Sequence, residues 1–183
     1  RAGGGGFGLW GGGEGGRIPH QYIPAVEKGV RMVLEHGAVA GYALQDVRVI
    51  VYEGKYHPVD SKEVAFVTAG KKAFQDAIGK ARPLILEPIV NLDVEVPDHY
   101  MGDVTGRLSS KRARINGTDS ARAGELVIKA QVPLAEIGDY SNELKALTGG
   151  QGRYSIEFSH YEAVPGQVQR QLVEAFKPRA EEE

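Results

Sequence analysis

The chain contains no cysteine among its 183 residues. That absence excludes disulfide bonds, thiolate metal sites and cysteine nucleophiles, and it fits a cytosolic protein. No apolar run approaches the roughly 20 residues that a membrane-spanning helix needs, and no N-terminal segment has the pattern of a signal peptide. The formal net charge of −2 argues against a general polyanion binder. Any contact with nucleic acid must therefore come from local clusters of positive charge.

Motifs of catalytic and nucleotide-binding proteins are also missing. There is no GxxxxGK[ST] phosphate-binding loop, and the five histidines lack a metal-ligand spacing such as HExxH. His57, Asp60 and Ser61 do place a base, a carboxylate and a hydroxyl close together, but a nucleophilic serine needs oxyanion donors at a sharp turn of the GxSxG kind. Ser61 lacks that setting. A free-standing hydrolase that uses His57 is therefore the least favoured hypothesis, and we expect no catalytic residue, metal or cofactor in this chain.

Glycine is concentrated at the N-terminus, where residues 1–16 hold 10 of the 25 glycines. Ordering such a run costs much backbone entropy, which favours a flexible tract. Phe7, Leu9 and Trp10 are its large apolar residues and indicate that part of it packs.

The next part of the chain has the pattern of a compact α+β unit. Apolar residues recur at helical spacing over residues 22–36, and Gly37 then suits a left-handed C-cap. Valines alternate with other residues over 47–51 and predict a strand. After a loop, Asp60 with a glutamate three residues on predicts the start of a helix that continues to about Lys80.

A second unit begins with a strand of clear alternation. Its elements follow the order strand, helix, strand, strand, helix, strand, which is the split βαβ, ferredoxin-like arrangement. Asn116-Gly117 predicts a turn after the second strand, and a further helix follows the fourth. The predicted elements are strand 90–96, helix 100–108, strand 113–116, strand 126–132, helix 134–147, strand 154–158 and helix 168–176.

Several segments of this chain resemble the elongation factor G family. Long motifs that occur in the right order are far more specific than any single motif. The matching segments are GRIPHQYIPAVEKG (16–29), YHPVDS followed by EVAF (56–66), LEPI (86–89), GDV with LS and an arginine (102–112), and YSIEF (154–158).

The resemblance implies two α+β domains. Residues 1–84 would form a domain like the family's domain IV, which is similar to domain 2 of ribosomal protein S5. Residues 85–178 would form the ferredoxin-like domain V, and 179–183 an acidic tail. The implied function is that of the C-terminal ribosome-binding module of a cytoplasmic translational GTPase, with GTP and magnesium bound in another domain. The implied partners are ribosomal RNA and the tRNA–mRNA pair at the decoding site, without membrane or DNA.

By the same resemblance, two groups of residues are candidate contacts. One is a domain tip that enters the decoding site to promote translocation. The other is a basic cluster that contacts ribosomal RNA at the base of the large-subunit stalk, although cations at a helix C-terminus also have a purely structural explanation. The tip residues are His57, Pro58, Asp60, Ser61, Gly4, Gly5 and Phe7, and the cluster is Arg107, Lys111, Arg112 and Arg114.

The chain departs from the family pattern in two places. The family's tip loop reads roughly GGRGQYG, whereas the N-terminal tract here lacks that arginine and glutamine, and residues 9–17 stand where the family has a pair of strands. Whether residues are missing between Trp10 and Arg17 stays open. Lys62 replaces a usual serine and indicates a paralogue. Ribosome recycling or ribosome protection is therefore the alternative to translocation.

Overall fold

The structure, a computed structural model, describes residues 18–57 and 62–176. Contacts group Leu86–Pro165 into one compact unit, here the second unit, and the other described residues into the first unit. The helices are α1 (Ile23–His36), α2 (Glu63–Lys80), α3 (Met101–Ser109), α4 (Tyr140–Thr148) and α5 (Gly166–Ala175), and the strands are β1 (Leu86–Pro97), β2 (Arg114–Arg122), β3 (Glu125–Pro133) and β4 (Arg153–Ala163).

Helices α1 and α2 of the first unit pack closely because glycine lies at their contact. A Cβ atom added at Gly29 would lie 2.1 Å from the carbonyl oxygen of Val67, and one at Gly70 would lie 2.8 Å from that of Val26. As predicted, Gly37 caps α1 with a positive φ, +79°, and its N–H donates to the carbonyl of Val33, but its ψ of 153° is not that of the predicted left-handed cap. The approach of the two backbones therefore depends on residues without a side chain.

The prediction of a strand over residues 47–51 is wrong. Burial alternates along the segment as in an extended chain, since its valines are half-buried against the two helices while Arg48 and Ile50 are exposed. Alternation identified the buried face correctly, because side chains alternate along any extended segment. A strand also needs a hydrogen-bonded neighbour, and none of the described residues pairs with this segment.

The start of α2 also differs from the prediction. The helix begins at Glu63 with Lys62 as its N-cap, and the lysine side chain makes no capping hydrogen bond. The predicted cap, Asp60, lies outside the described residues.

Helix α5 belongs by its contacts to the first unit, although the sequence pattern assigns it to the second domain. The Gln169 side chain accepts a hydrogen bond from the N–H of Ile85 and donates one to the carbonyl of Pro83, each at 3.1 Å. Within the described ranges, no helix has the length and apolar character needed to cross a membrane.

The second unit confirms the predicted ferredoxin-like fold. Its four strands form an antiparallel sheet in the order β2-β3-β1-β4. The alternating side chains of β1 and β3 on one sheet face are buried in a single cluster with residues of α3 and α4. Leu92 and Ile128 have no exposed surface there.

Two local predictions in the second unit are wrong. Asn116-Gly117 does not turn the chain, since β2 continues to Arg122 with a register shift at this point and the hairpin turns at Ala123-Gly124. The predicted helix 134–147 is divided into a 3-10 turn, Leu134–Ile137, and α4. Helix α4 ends as expected at Gly149, which has left-handed geometry.

Candidate functional site

Of the predicted tip, the structure describes His57 and the segment that leads to it. Gly54 passes so close to Ile18 that a Cβ atom there would lie 2.5 Å from its Cδ1 atom. Tyr56 is half-buried in the cluster around Phe66, whereas His57 is exposed. The segment is therefore held against the unit up to Tyr56, and the histidine is the next residue outward.

Three aromatic rings lie at the base of this loop. The rings of Tyr22 and Phe66 are stacked, with centroids 4.3 Å apart and an interplanar angle of 16°. The Tyr56 ring lies 5.9 Å from that of Tyr22 at a tilt of 37°. We name Tyr22, Tyr56 and Phe66 the aromatic bracket. Sequence reasoning did not single it out, because nothing in the local pattern indicates which aromatic residues meet.

The other predicted tip residues lie outside the described residues and stay predictions. They include the two residues that the hydrolase hypothesis adds to His57. The full set is Gly4, Gly5, Phe7, Pro58, Asp60 and Ser61.

In the basic cluster, Arg107 and Lys111 share one carboxylate. Lys111 Nζ donates to Glu143 Oε1 at 2.9 Å and to the carbonyl of Glu136 at 3.0 Å, and Arg107 Nε lies 3.6 Å from Glu143 Oε2. The hydrogen bond from Lys111, with the charges of both cations, lowers the pKa of Glu143. The Lys111 side chain is only 14% exposed, whereas that of Arg107 is 57% exposed.

Arg112 is held by two carboxylates from different parts of the second unit. Its Nη1 and Nη2 atoms donate to Glu87 at 2.6 and 2.9 Å, and its Nε donates to Glu136 at 2.8 Å. These hydrogen bonds raise the pKa of the guanidinium, Glu87 contributing most. With a backbone φ of +59°, Arg112 joins the start of β1 to the 3-10 turn after β3.

Arg114 forms a third ion-pair group. It pairs with Glu162, whose Oε1 atom also lies 2.7 Å from Nε2 of His160. The hydrogen bond with His160 and, to a smaller extent, the hydrogen bond with Arg114 lower the pKa of Glu162. Arg114 is opposite Gln131 in the sheet register, so it lies on the sheet face away from the buried cluster. Its side chain is 62% exposed.

The structure therefore distributes the four cations of the predicted cluster over several ion pairs. Each of the four cations has a carboxylate partner, and the partners are Glu87, Glu136, Glu143 and Glu162. Arg107 and Arg114 keep most of their side chains in solvent, while Lys111 and Arg112 are largely covered. Exposed arginine can exchange a surface carboxylate for a phosphate at small cost, since such pairs contribute little.

Among the residues that the structure describes, no group of three or more histidine, aspartate or glutamate side chains could hold a metal ion. A hollow of about 430 Å³ lies along α4 and is lined mainly by apolar atoms. Its lining includes Arg107 and Glu143, which form an ion pair with each other.

Comparison with known proteins matches nearly the whole chain. Residues 3–82 match the family model described as elongation factor G, domain IV, and residues 84–172 match the one described as elongation factor G C-terminus. A crystal structure of a protein from Thermus thermophilus is similar, with 40% sequence identity and a TM-score of 0.68. The match covers 88% of this chain and 24% of that one, so the chain spans about a quarter of the length of its relative.

Proposed function

The chain belongs to the elongation factor G family, and on that premise we propose that it contacts the ribosome during translocation, with the loop that begins at His57 entering the decoding site. As domain IV followed by the C-terminal domain, it is a module of a translation elongation factor. The proposal concerns what this module touches and what the contact does. Hydrolysis of GTP, with its magnesium ion, is assigned to a separate domain of the family's proteins.

The observation that carries the proposal is the position of His57. The residue before it is half-buried in the first unit's core, and His57 itself is exposed. A contact with RNA needs polar groups presented outward on a rigid support, because a mobile group loses entropy when it binds. An exposed side chain directly after an anchored one meets both needs.

The second proposed contact involves Arg107 and Arg114, the two exposed members of the basic cluster. Their side chains are exposed to phosphate oxygens, whereas those of Lys111 and Arg112 are largely covered by their carboxylate partners. Because the two arginines lie on different sides of the sheet, we expect them to contact different RNA segments rather than a single phosphate cluster.

Binding of the 183-residue chain to purified ribosomes tests the proposal. We expect saturable binding that weakens with salt, and competition with a complete elongation factor G for translocation. Arg107→Glu should weaken binding and reduce the log–log salt slope by roughly one unit for one lost phosphate contact. Lys72→Glu, the same charge change at an exposed position of α2, is the matched control. Absence of saturable binding would contradict the proposal.

A further inference from the structure

The loop between Tyr56 and Phe66 is held at both ends by the same ring. Tyr56 is the residue before His57, and Phe66 lies in the first turn of α2 after the loop. Both rings contact that of Tyr22, which is the residue before α1. The two ends of the loop therefore cannot move independently without disturbing Tyr22.

The bracket is fixed to the unit, so that it can act as a support. Phe66 is 7% exposed, and its cluster includes the buried residues Ala25 and Val26 of α1. The close contact of Gly54 with Ile18 holds the same segment independently, two residues before Tyr56. By contrast, Tyr52 in the same extended segment points outward and is 74% exposed.

We infer that Tyr56, whose ring contacts that of Tyr22, is a positioning residue. It fixes the position of His57 and thereby determines how tightly the tip binds its RNA site. The effect on RNA binding rests on the proposed function, whereas the effect on the position of His57 does not. Preorganising a contact group lowers the entropy lost on binding. Removing the Tyr56 ring should therefore weaken binding through His57, without any contact between Tyr56 and the ribosome.

A double-mutant cycle on ribosome binding tests the functional part. Tyr56→Ala should weaken binding by nearly as much as His57→Ala, and the double variant should bind no more weakly than His57→Ala alone, because only coupled residues deviate from additivity. Tyr56→Phe, which keeps the ring, should bind like the wild type. Tyr52→Ala is the matched control and should leave affinity unchanged. Additive losses, or a loss with Tyr52→Ala equal to that with Tyr56→Ala, would overturn the inference.

Backbone order parameters from NMR test the structural part without the ribosome. In the wild-type chain His57 should have an order parameter near the rigid value of about 0.85, and Tyr56→Ala should lower it below about 0.6 while α1 stays unchanged. If the wild-type chain fails to bind ribosomes, the proposed function is refuted. The order parameter of His57 then still shows whether Tyr56 positions that residue. An order parameter at His57 that does not change in Tyr56→Ala would overturn the inference.

Discussion

The two units of this protein differ in how their backbones are held. The second unit has one cluster of 12 buried residues beneath a hydrogen-bonded sheet. Among its described residues, the first has clusters of four and three buried residues, and its extended segment has no hydrogen-bonded neighbour there. The described backbone is therefore held by one shared core and a strand ladder in the second unit, but by smaller clusters and close helix contacts in the first. Single substitutions should therefore act differently in the two units.

The largest effect is expected in the core of the second unit. Leu92→Ala removes a side chain without exposed surface and should lower the free energy of unfolding by about 2–5 kcal/mol, the range for leucine truncation in cores. Urea denaturation measures it. Leu86→Ala, in the same strand but at a position 53% exposed, is the control and should cost far less. Equal losses at both positions would mean that the sheet has no dominant buried face.

A glycine substitution sharpens the comparison for the first unit. Gly29→Ala places a methyl group against the backbone of α2 and should destabilise the chain by about 1–3 kcal/mol, as overpacking does. A Cβ atom at Gly79, also in a helix, would meet nothing within 4 Å, so Gly79→Ala should stabilise by about 0.4–1 kcal/mol. Effects of the same sign in thermal unfolding would contradict the close helix contact.

Sequence patterns predicted the second unit better than the first for a physical reason. Alternation of apolar residues shows which face of an extended segment is buried. In β1 and β3 the alternating segments are also strands, because neighbouring strands pair with them. Over residues 47–51 it gave the correct buried face and the wrong element, since pairing depends on distant parts of the chain. Asn116-Gly117 has turn propensity, but pairing continues past it, Thr118 being opposite Ile128.

The candidate site was predictable only in part. The role proposed for His57 rests on resemblance, because nothing in composition or spacing distinguishes it from the other histidines. The carboxylates that hold Lys111, Arg112 and Arg114 lie 24 to 48 positions away in the chain, so no local signal connects them. The ion pairs distribute the predicted single cluster over three groups, two of which share Glu136.

A smaller, pH-dependent effect is expected at Glu143. Its pKa is lowered in the folded state, so its ion pairs stabilise the chain above the unfolded value of about 4.5 and are lost as the pH falls through the folded pKa. Glu143→Gln should therefore be less stable than the wild type at pH 7, by at most about 1 kcal/mol. The difference should vanish in acid. Glu157→Gln, at an exposed position, is the control and should change stability little.

The smallest effect on stability is expected at His57. His57→Ala should change the free energy of unfolding by no more than about 0.5 kcal/mol, because an exposed side chain buries little on folding. Ribosome binding should fall in the same protein. A lower melting temperature with unchanged binding would instead identify His57 as a structural residue of the first unit.

Directed cleavage of ribosomal RNA from position 55 tests the central claim most directly. Because the chain has no cysteine, Lys55→Cys carries a tethered hydroxyl-radical source at a single exposed site two residues before His57, and His57 itself stays in place. A matched source at the exposed Glu35→Cys lies near the opposite end of α1 from Tyr22, roughly 20 Å away at 1.5 Å per residue. The account predicts cleavage of small-subunit RNA around the decoding site from position 55 and a different pattern from position 35. Identical patterns from both positions, or no site-specific cleavage from position 55, would contradict it.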